Sequence, residues 1–153
     1  MKKQAQKYSL DNSLGNLATR LSRVILKQLN SELQHMGYKI TSEQWTLLVL
    51  IWNQNGQSQQ ALADALYKDK TTMARLTASV ESLGLIARKP GEKDGRKKVV
   101  RLTAKGKKIM GGVTSLAQGL LNIAGRGISE SYMAICRDVL RRAYKNITEM
   151  SKI

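Results

Sequence analysis

A chain of 153 residues is one ordinary domain's worth of length, and at 42% hydrophobic it carries enough apolar material for a core. Lys and Arg number 26 against 11 Asp and Glu, a formal charge of +15 that points to a polyanionic partner, either nucleic acid or an anionic membrane surface. The longest apolar run, Leu47 to Trp52, is far short of the roughly 20 residues of a spanning helix, and the basic start Met1 to Lys7 leads into no apolar signal segment.

Taken in chain order, Leu10, Leu14, Leu17, Leu21 and Ile25, continued by Leu29, Leu33 and Met36, recur at helical spacing. They predict a first helix over 9–36, capped by Ser9 and stopped at Gly37. Thr41 with Gln44 three residues on forms a capping-box pattern and opens a second helix. Trp45, Leu48, Val49 and Trp52 share one face of it, with Leu47, Leu50 and Ile51 around them, so it belongs mid-domain. Ser58 caps a short third helix bearing Ala61, Leu62, Ala65 and Leu66, and only Tyr67 to Asp69 separate it from a fourth. That fourth helix turns Met73, Leu76, Val80 and Leu83 inward and ends at Gly84, where a left-handed residue is wanted. Two short helices joined this way make a helix-turn-helix.

Two strand-like pieces follow, Leu85 to Lys89 and Lys97 to Thr103, around an Asp94-Gly95 turn signal; a hairpin in this position is a wing. Thr103 caps a long helix with Ile109, Val113, Leu116, Leu120 and Ile123 on its stripe, where Gly111-Gly112 is a place for a bend. After Gly125-Arg126-Gly127, Ser129 caps a last helix with Met133, Cys136, Leu140, Ala143, Ile147 and Met150 inward. The expected fold class is mostly α, a winged helix-turn-helix over 41–103 with a two-stranded β-hairpin wing, between helical segments 9–36 and 104–153.

Charge concentrates on the wing. From Arg88 to Lys108 ten cations oppose two carboxylates, a net +8 over 21 residues. A membrane-surface reading needs a basic amphipathic helix, and this segment is a hairpin containing Pro90, Gly91 and Gly95. On the fourth helix the outward residues near the N-terminus are Lys70, Thr71, Thr72 and Arg75, with Ser79 a turn later. Hydroxyls, methyls and a guanidinium fork suit base edges in a major groove. With Arg88, Lys93, Asp94, Arg96, Lys97 and Lys98 from the wing they form the candidate DNA-binding set.

At these residues a family resemblance is visible. Thr41-Ser42-Glu43-Gln44-Trp45, Gln60-Ala61-Leu62-Ala63, the run from Val80 to Arg88, Asp94-Gly95-Arg96-Lys97 and Leu102-Thr103-Ala104-Lys105-Gly106 occur in order over about 70 residues. Together they resemble the multiple-antibiotic-resistance regulator (MarR) family of bacterial winged-helix repressors, with Ile40 standing where that family usually has Leu. The resemblance implies a homodimer on a pseudo-palindromic operator in double-stranded DNA, with the N- and C-terminal helices forming a dimerisation layer. It implies that Arg96 enters the minor groove and that Asp94 steadies the wing by pairing with Arg88 or Arg96. The apolar stripes at both ends of the chain independently ask for a partner that buries them.

The resemblance also implies a cleft for a small aromatic or phenolic effector, for which His35, Met36, Tyr38, Trp45 and Trp52 are the candidate lining residues. Packing as ordinary core is the competing reading of these five. Cys136, the single cysteine, is expected on a buried stripe as an inert thiol, and the single histidine excludes a His-His metal motif, so neither a metal nor another cofactor is expected. No phosphate loop, nucleophile elbow or suggestive carboxylate pair is present, so no catalytic residue is assigned. The expectation is a cytoplasmic, sequence-specific regulator, most simply a dimeric repressor relieved by an effector; the alternative is a non-specific basic protein that coats DNA or RNA.

Overall fold

The structure is a computed structural model that describes residues 9–91 and 98–150. By its internal contacts the chain divides into two compact units, Met1–Ala117 and Gln118–Ile153.

The first helix begins later than the apolar spacing suggests. Ser9 makes no side-chain cap; a short 3-10 turn, Leu10–Asn12, intervenes, and Ser13 caps α1 (Leu14–His35) by accepting from the Asn16 N–H. Only the lower end of its stripe is core: Leu29 and Leu33 are buried, whereas Leu14, Leu17, Leu21 and Val24 are exposed. Helix α2 (Ser42–Asn53) opens with both halves of the capping box, Gln44 N–H to Thr41 Oγ1 at 3.2 Å and Thr41 N–H to Gln44 Oε1 at 2.9 Å. Its innermost residues are Leu47, Leu48 and Ile51; of the face expected from Trp45, Leu48, Val49 and Trp52, Leu48 is buried, Trp45 and Val49 are half-buried and Trp52 is 52% exposed.

Ser58 caps α3 (Gln59–Leu66), and Tyr67, in the left-handed conformation, turns the chain towards α4 (Lys70–Ser82). Met73, Leu76, Thr77 and Val80 of α4 are buried, with the Thr77 hydroxyl satisfied by the Met73 carbonyl at 2.6 Å. Gly84, at φ +71°, reverses the chain into β2 (Ile86–Pro90), which pairs antiparallel with β3 (Lys98–Leu102). The hairpin is part of a three-stranded sheet, because β1 (Gln57–Ser58) pairs with Val99 and Val100 on the other side of β3. No local pattern announces a two-residue strand; it exists only through its partner.

Thr103 caps α5 (Ala104–Ala124) through the Gly106 N–H at 3.0 Å. The helix is continuous through Gly111-Gly112, and its buried residues are Gly106, Met110, Val113 and Ala117. Of the expected stripe only Val113 is fully buried; Ile109, Leu116 and Leu120 are half-buried and Ile123 is exposed. The face rotates because backbone approaches closely here. A Cβ on Gly106 would lie 3.0 Å from the Leu85 carbonyl carbon, and the Tyr38 phenol occupies the space where a Gly112 Cβ would project.

In the second unit, Ser129 precedes α6 (Glu130–Met150), accepting from Met133 N–H through its carbonyl. None of its residues is buried: Ile135, Val139, Leu140 and Cys136 are exposed, and Met133 and Ala143 are only half-buried. In the single chain Cys136 is therefore exposed, where its place on the stripe suggested a buried thiol.

Candidate nucleic-acid interface

The reader helix starts from a well-satisfied cap. Asp69 accepts the Thr72 N–H at 2.9 Å and the Thr72 hydroxyl at 2.7 Å. The Thr72 hydroxyl, followed by the Thr72 and Thr71 backbone N–H groups, holds the Asp69 carboxyl below the usual carboxylate range. Lys70, Thr71 and Arg75 stand exposed on the first two turns, as the sequence implied. Thr72 is exposed as well, with its hydroxyl committed to the cap.

Two of the expected contacts also make bonds within the protein. Ser79 is half-buried; its hydroxyl donates to the Leu76 carbonyl at 2.8 Å and accepts from Gln44 Nε2 at 3.1 Å, joining α4 to the start of α2. Arg88 is tied to α4, its Nη2 lying 3.0 Å from Glu81 Oε2 and its backbone N–H donating to Glu81 Oε1 at 3.2 Å. By the strand period Arg88 falls on the same side of β2 as buried Ile86, although Arg88 itself stays exposed, as Lys89 and Pro90 do. Exposed Lys89 is a candidate the sequence reading passed over, and that alternation from Ile86 was the signal for it. Lys98 is exposed opposite Pro90, and Lys93, Asp94, Arg96 and Lys97 lie outside the described residues.

The base of the wing is fixed to the end of the reader by α5. Thr103 donates through its hydroxyl to the Gly84 carbonyl at 2.7 Å and through its N–H to the Leu85 carbonyl at 3.0 Å, and Lys105 Nζ donates to the Leu83 carbonyl at 2.7 Å. Lysine and hydroxyl donors thus satisfy the carbonyls at the C-terminal end of α4 that no helical N–H reaches.

The five residues expected around an effector differ in exposure. His35 and Met36 are exposed at the end of α1, Trp52 is exposed on α2, and half-buried Trp45 has an indole N–H without a hydrogen-bond partner among the described residues. Tyr38 lines a groove of about 240 Å³ with Lys39, Ile40, Leu83, Leu85 and Lys105. A larger groove of about 580 Å³ runs between α1, α2 and the end of α3, where Arg23, Lys27, Asn30 and Lys68 surround Leu26 and Leu66. Lys68 is ion-paired there with Glu43. Among the described residues no cluster of three or more metal-ligating side chains occurs, and no helix is long and apolar enough to cross a membrane.

A reader helix with a capped, cation-bearing N-terminus, a supporting helix before it and a β-hairpin after it define a winged helix-turn-helix, a DNA-binding class. The comparisons with known proteins agree. Residues 40–98 match the model of the MarR family. The transcriptional regulator HosA of Escherichia coli O157:H7 is 33% identical over 98 residues, which are 64% of this chain and 73% of that protein. The crystal structure of the transcriptional regulator SlyA superimposes with a TM-score of 0.82 at 25% identity, covering 90% of this chain and 96% of that one. CouR from Rhodococcus jostii RHA1, solved bound to p-coumaroyl-CoA, gives 0.78 at 23% identity, covering 88% and 94%. The chain belongs to the MarR family of transcriptional regulators.

Proposed function

We propose that this regulator is a homodimeric repressor that reads a pseudo-palindromic operator and is released from it by a small-molecule effector. Lys70, Thr71 and Arg75 meet base edges in the major groove, with the Thr72 methyl beside them. Lys89 and Lys98, with Lys93, Asp94, Arg96 and Lys97, carry the wing along the adjacent backbone and minor groove. The observation that carries the reading is the exposed, capped N-terminal end of α4, which keeps Thr71 and Arg75 outward while Met73, Leu76 and Val80 anchor the helix.

Dimerisation is supported by the apolar residues left exposed at both ends of the chain: Leu14, Leu17, Leu21 and Val24 on α1, and Ile135, Val139 and Leu140 on α6. In this reading segments 9–36 and 104–153 form the dimerisation layer and 41–103 the DNA-binding region. Effector relief is supported by the 580 Å³ groove, within the roughly 300–1,000 Å³ of ligand sites, whose cations and leucines suit a small aromatic or phenolic acid. CouR, of the same fold, was solved bound to p-coumaroyl-CoA.

Fluorescence anisotropy on a duplex selected by the protein from a random library, beside a shuffled duplex, tests the assignment. Arg75→Ala lowers affinity for the selected duplex by about 1–3 kcal/mol and leaves the shuffled one nearly unchanged. Lys98→Ala weakens both alike and flattens the salt slope by about 1. Unchanged preference in Arg75→Ala would remove α4 as the reader.

A further inference from the structure

We propose that Glu81 is a positioning residue for DNA recognition, holding the wing at a fixed angle to the reader helix through Arg88. This rests on the reading in which reader and wing grip one operator together.

Among the described residues strand β2 is an edge strand, with β3 on one side and no strand on the other. The backbone N–H of Arg88 donates to Glu81 Oε1 at 3.2 Å. The second carboxylate oxygen takes the Arg88 guanidinium at 3.0 Å, so one side chain from the last turn of α4 grips both backbone and side chain of β2. The alternative route of coupling, through the Gly84-Leu85 turn, runs over a glycine at φ +71°. The ties from Thr103 and Lys105 all land on Leu83, Gly84 and Leu85, at the pivot itself. Glu81–Arg88 is the tie placed beyond the pivot, two residues further along the strand from Ile86, where it opposes rotation of the hairpin. Five cross-strand pairs, from Ile86↔Leu102 to Pro90↔Lys98, carry that constraint outward along the wing. Arg88 then acts inside the protein, through Glu81, and is not itself a DNA contact.

Two accounts of Glu81 predict opposite signs. If it merely neutralised Arg88, Glu81→Gln would release a cation beside the DNA, tightening binding to any duplex and steepening the salt slope by about 1. If it positions the wing, Glu81→Gln weakens binding to the selected duplex by about five- to tenfold, with shuffled-duplex affinity and salt slope unchanged. Hydroxyl-radical footprinting of the same complexes then shows the flanking minor-groove protection lost and the major-groove protection kept. The exchanged pair Glu81→Arg with Arg88→Glu restores the ion pair with its charges reversed but offers no acceptor to the residue-88 N–H, and regains part of the preference. Tighter, more salt-sensitive binding by Glu81→Gln overturns the proposal, as does a preference and footprint identical to wild type. A wild-type protein that shows no preference for its selected duplex would refute the operator reading itself, a result separate from either.

Discussion

Two glycines of one helix, Gly106 and Gly111, should respond to the same substitution with opposite signs. Replacing a helical glycine by alanine normally gains about 1 kcal/mol of helix propensity. Gly111 has nothing within 4 Å of the position a Cβ would take, so Gly111→Ala should realise that gain, raising Tm by about 2–4 °C for a chain of this size. At Gly106 the new carbon would sit 3.0 Å from the Leu85 carbonyl carbon, 3.1 Å from Leu102 Cδ2 and closer still to the Leu85 oxygen. Backbone cannot rotate aside as a side-chain tip can, so an overpacking cost of about 1–3 kcal/mol applies. Displacing the Leu85 carbonyl also endangers its 3.0 Å bond from the Thr103 N–H, worth about 1 kcal/mol. Against the propensity gain the net loss is about 1–3 kcal/mol, a fall of about 2–12 °C. Thermal unfolding followed by circular dichroism, at one fixed protomer concentration, reads both variants. A Gly106→Ala protein as stable as wild type would refute the close approach of α5 to the wing base.

Thr41→Ala removes one half of the capping box and should cost about 1 kcal/mol, read as a lower urea midpoint at unchanged slope. Asp69, whose carboxyl is held low by Thr72, contributes stability above the usual carboxylate range that is lost as pH falls through its own lowered value. Acid titrations of wild type and Asp69→Asn should therefore differ near neutrality and converge at strongly acidic pH; a constant gap would contradict the cap. Ile135→Lys places a charge on a side chain 58% exposed in the single chain, so it should leave helix content unchanged and halve the mass measured by light scattering. A dimer surviving that change would locate the interface elsewhere.

What the sequence made legible was what short-range chemistry determines. The Thr41/Gln44 box, the Ser58 cap, the left-handed Gly84 and the hairpin to within one residue are all written in a few adjacent positions. The misjudged features depend on neighbours distant in the chain. Strand β1 has no pattern of its own and needs β3. The buried face of α5 passes through Gly106 and Ala117, where small residues admit close packing, whereas reading by size favoured Ile109, Leu116, Leu120 and Ile123. Ser79 and Arg88 fit the pattern of outward polar residues; Ser79 is half-buried against Gln44, and Arg88, though exposed, is paired with Glu81, and neither partner lies within a helical turn of it. The outer half of α1 and the whole of α6 are exposed in the single chain, in keeping with apolar stripes that ask for a partner. The groove cations Arg23 and Lys27 stand one turn apart on α1, and only the fold brings Lys68, 41 residues beyond Lys27, beside them.

The central claim is sequence-specific regulation, and one comparison addresses it most directly. Anisotropy of the full chain on its library-selected duplex and on a shuffled duplex of equal length, at two salt concentrations, should show a preference of about a thousandfold or more. Equal and steeply salt-sensitive affinity for the two duplexes would contradict it and leave a basic winged-helix protein that coats nucleic acid through its charge.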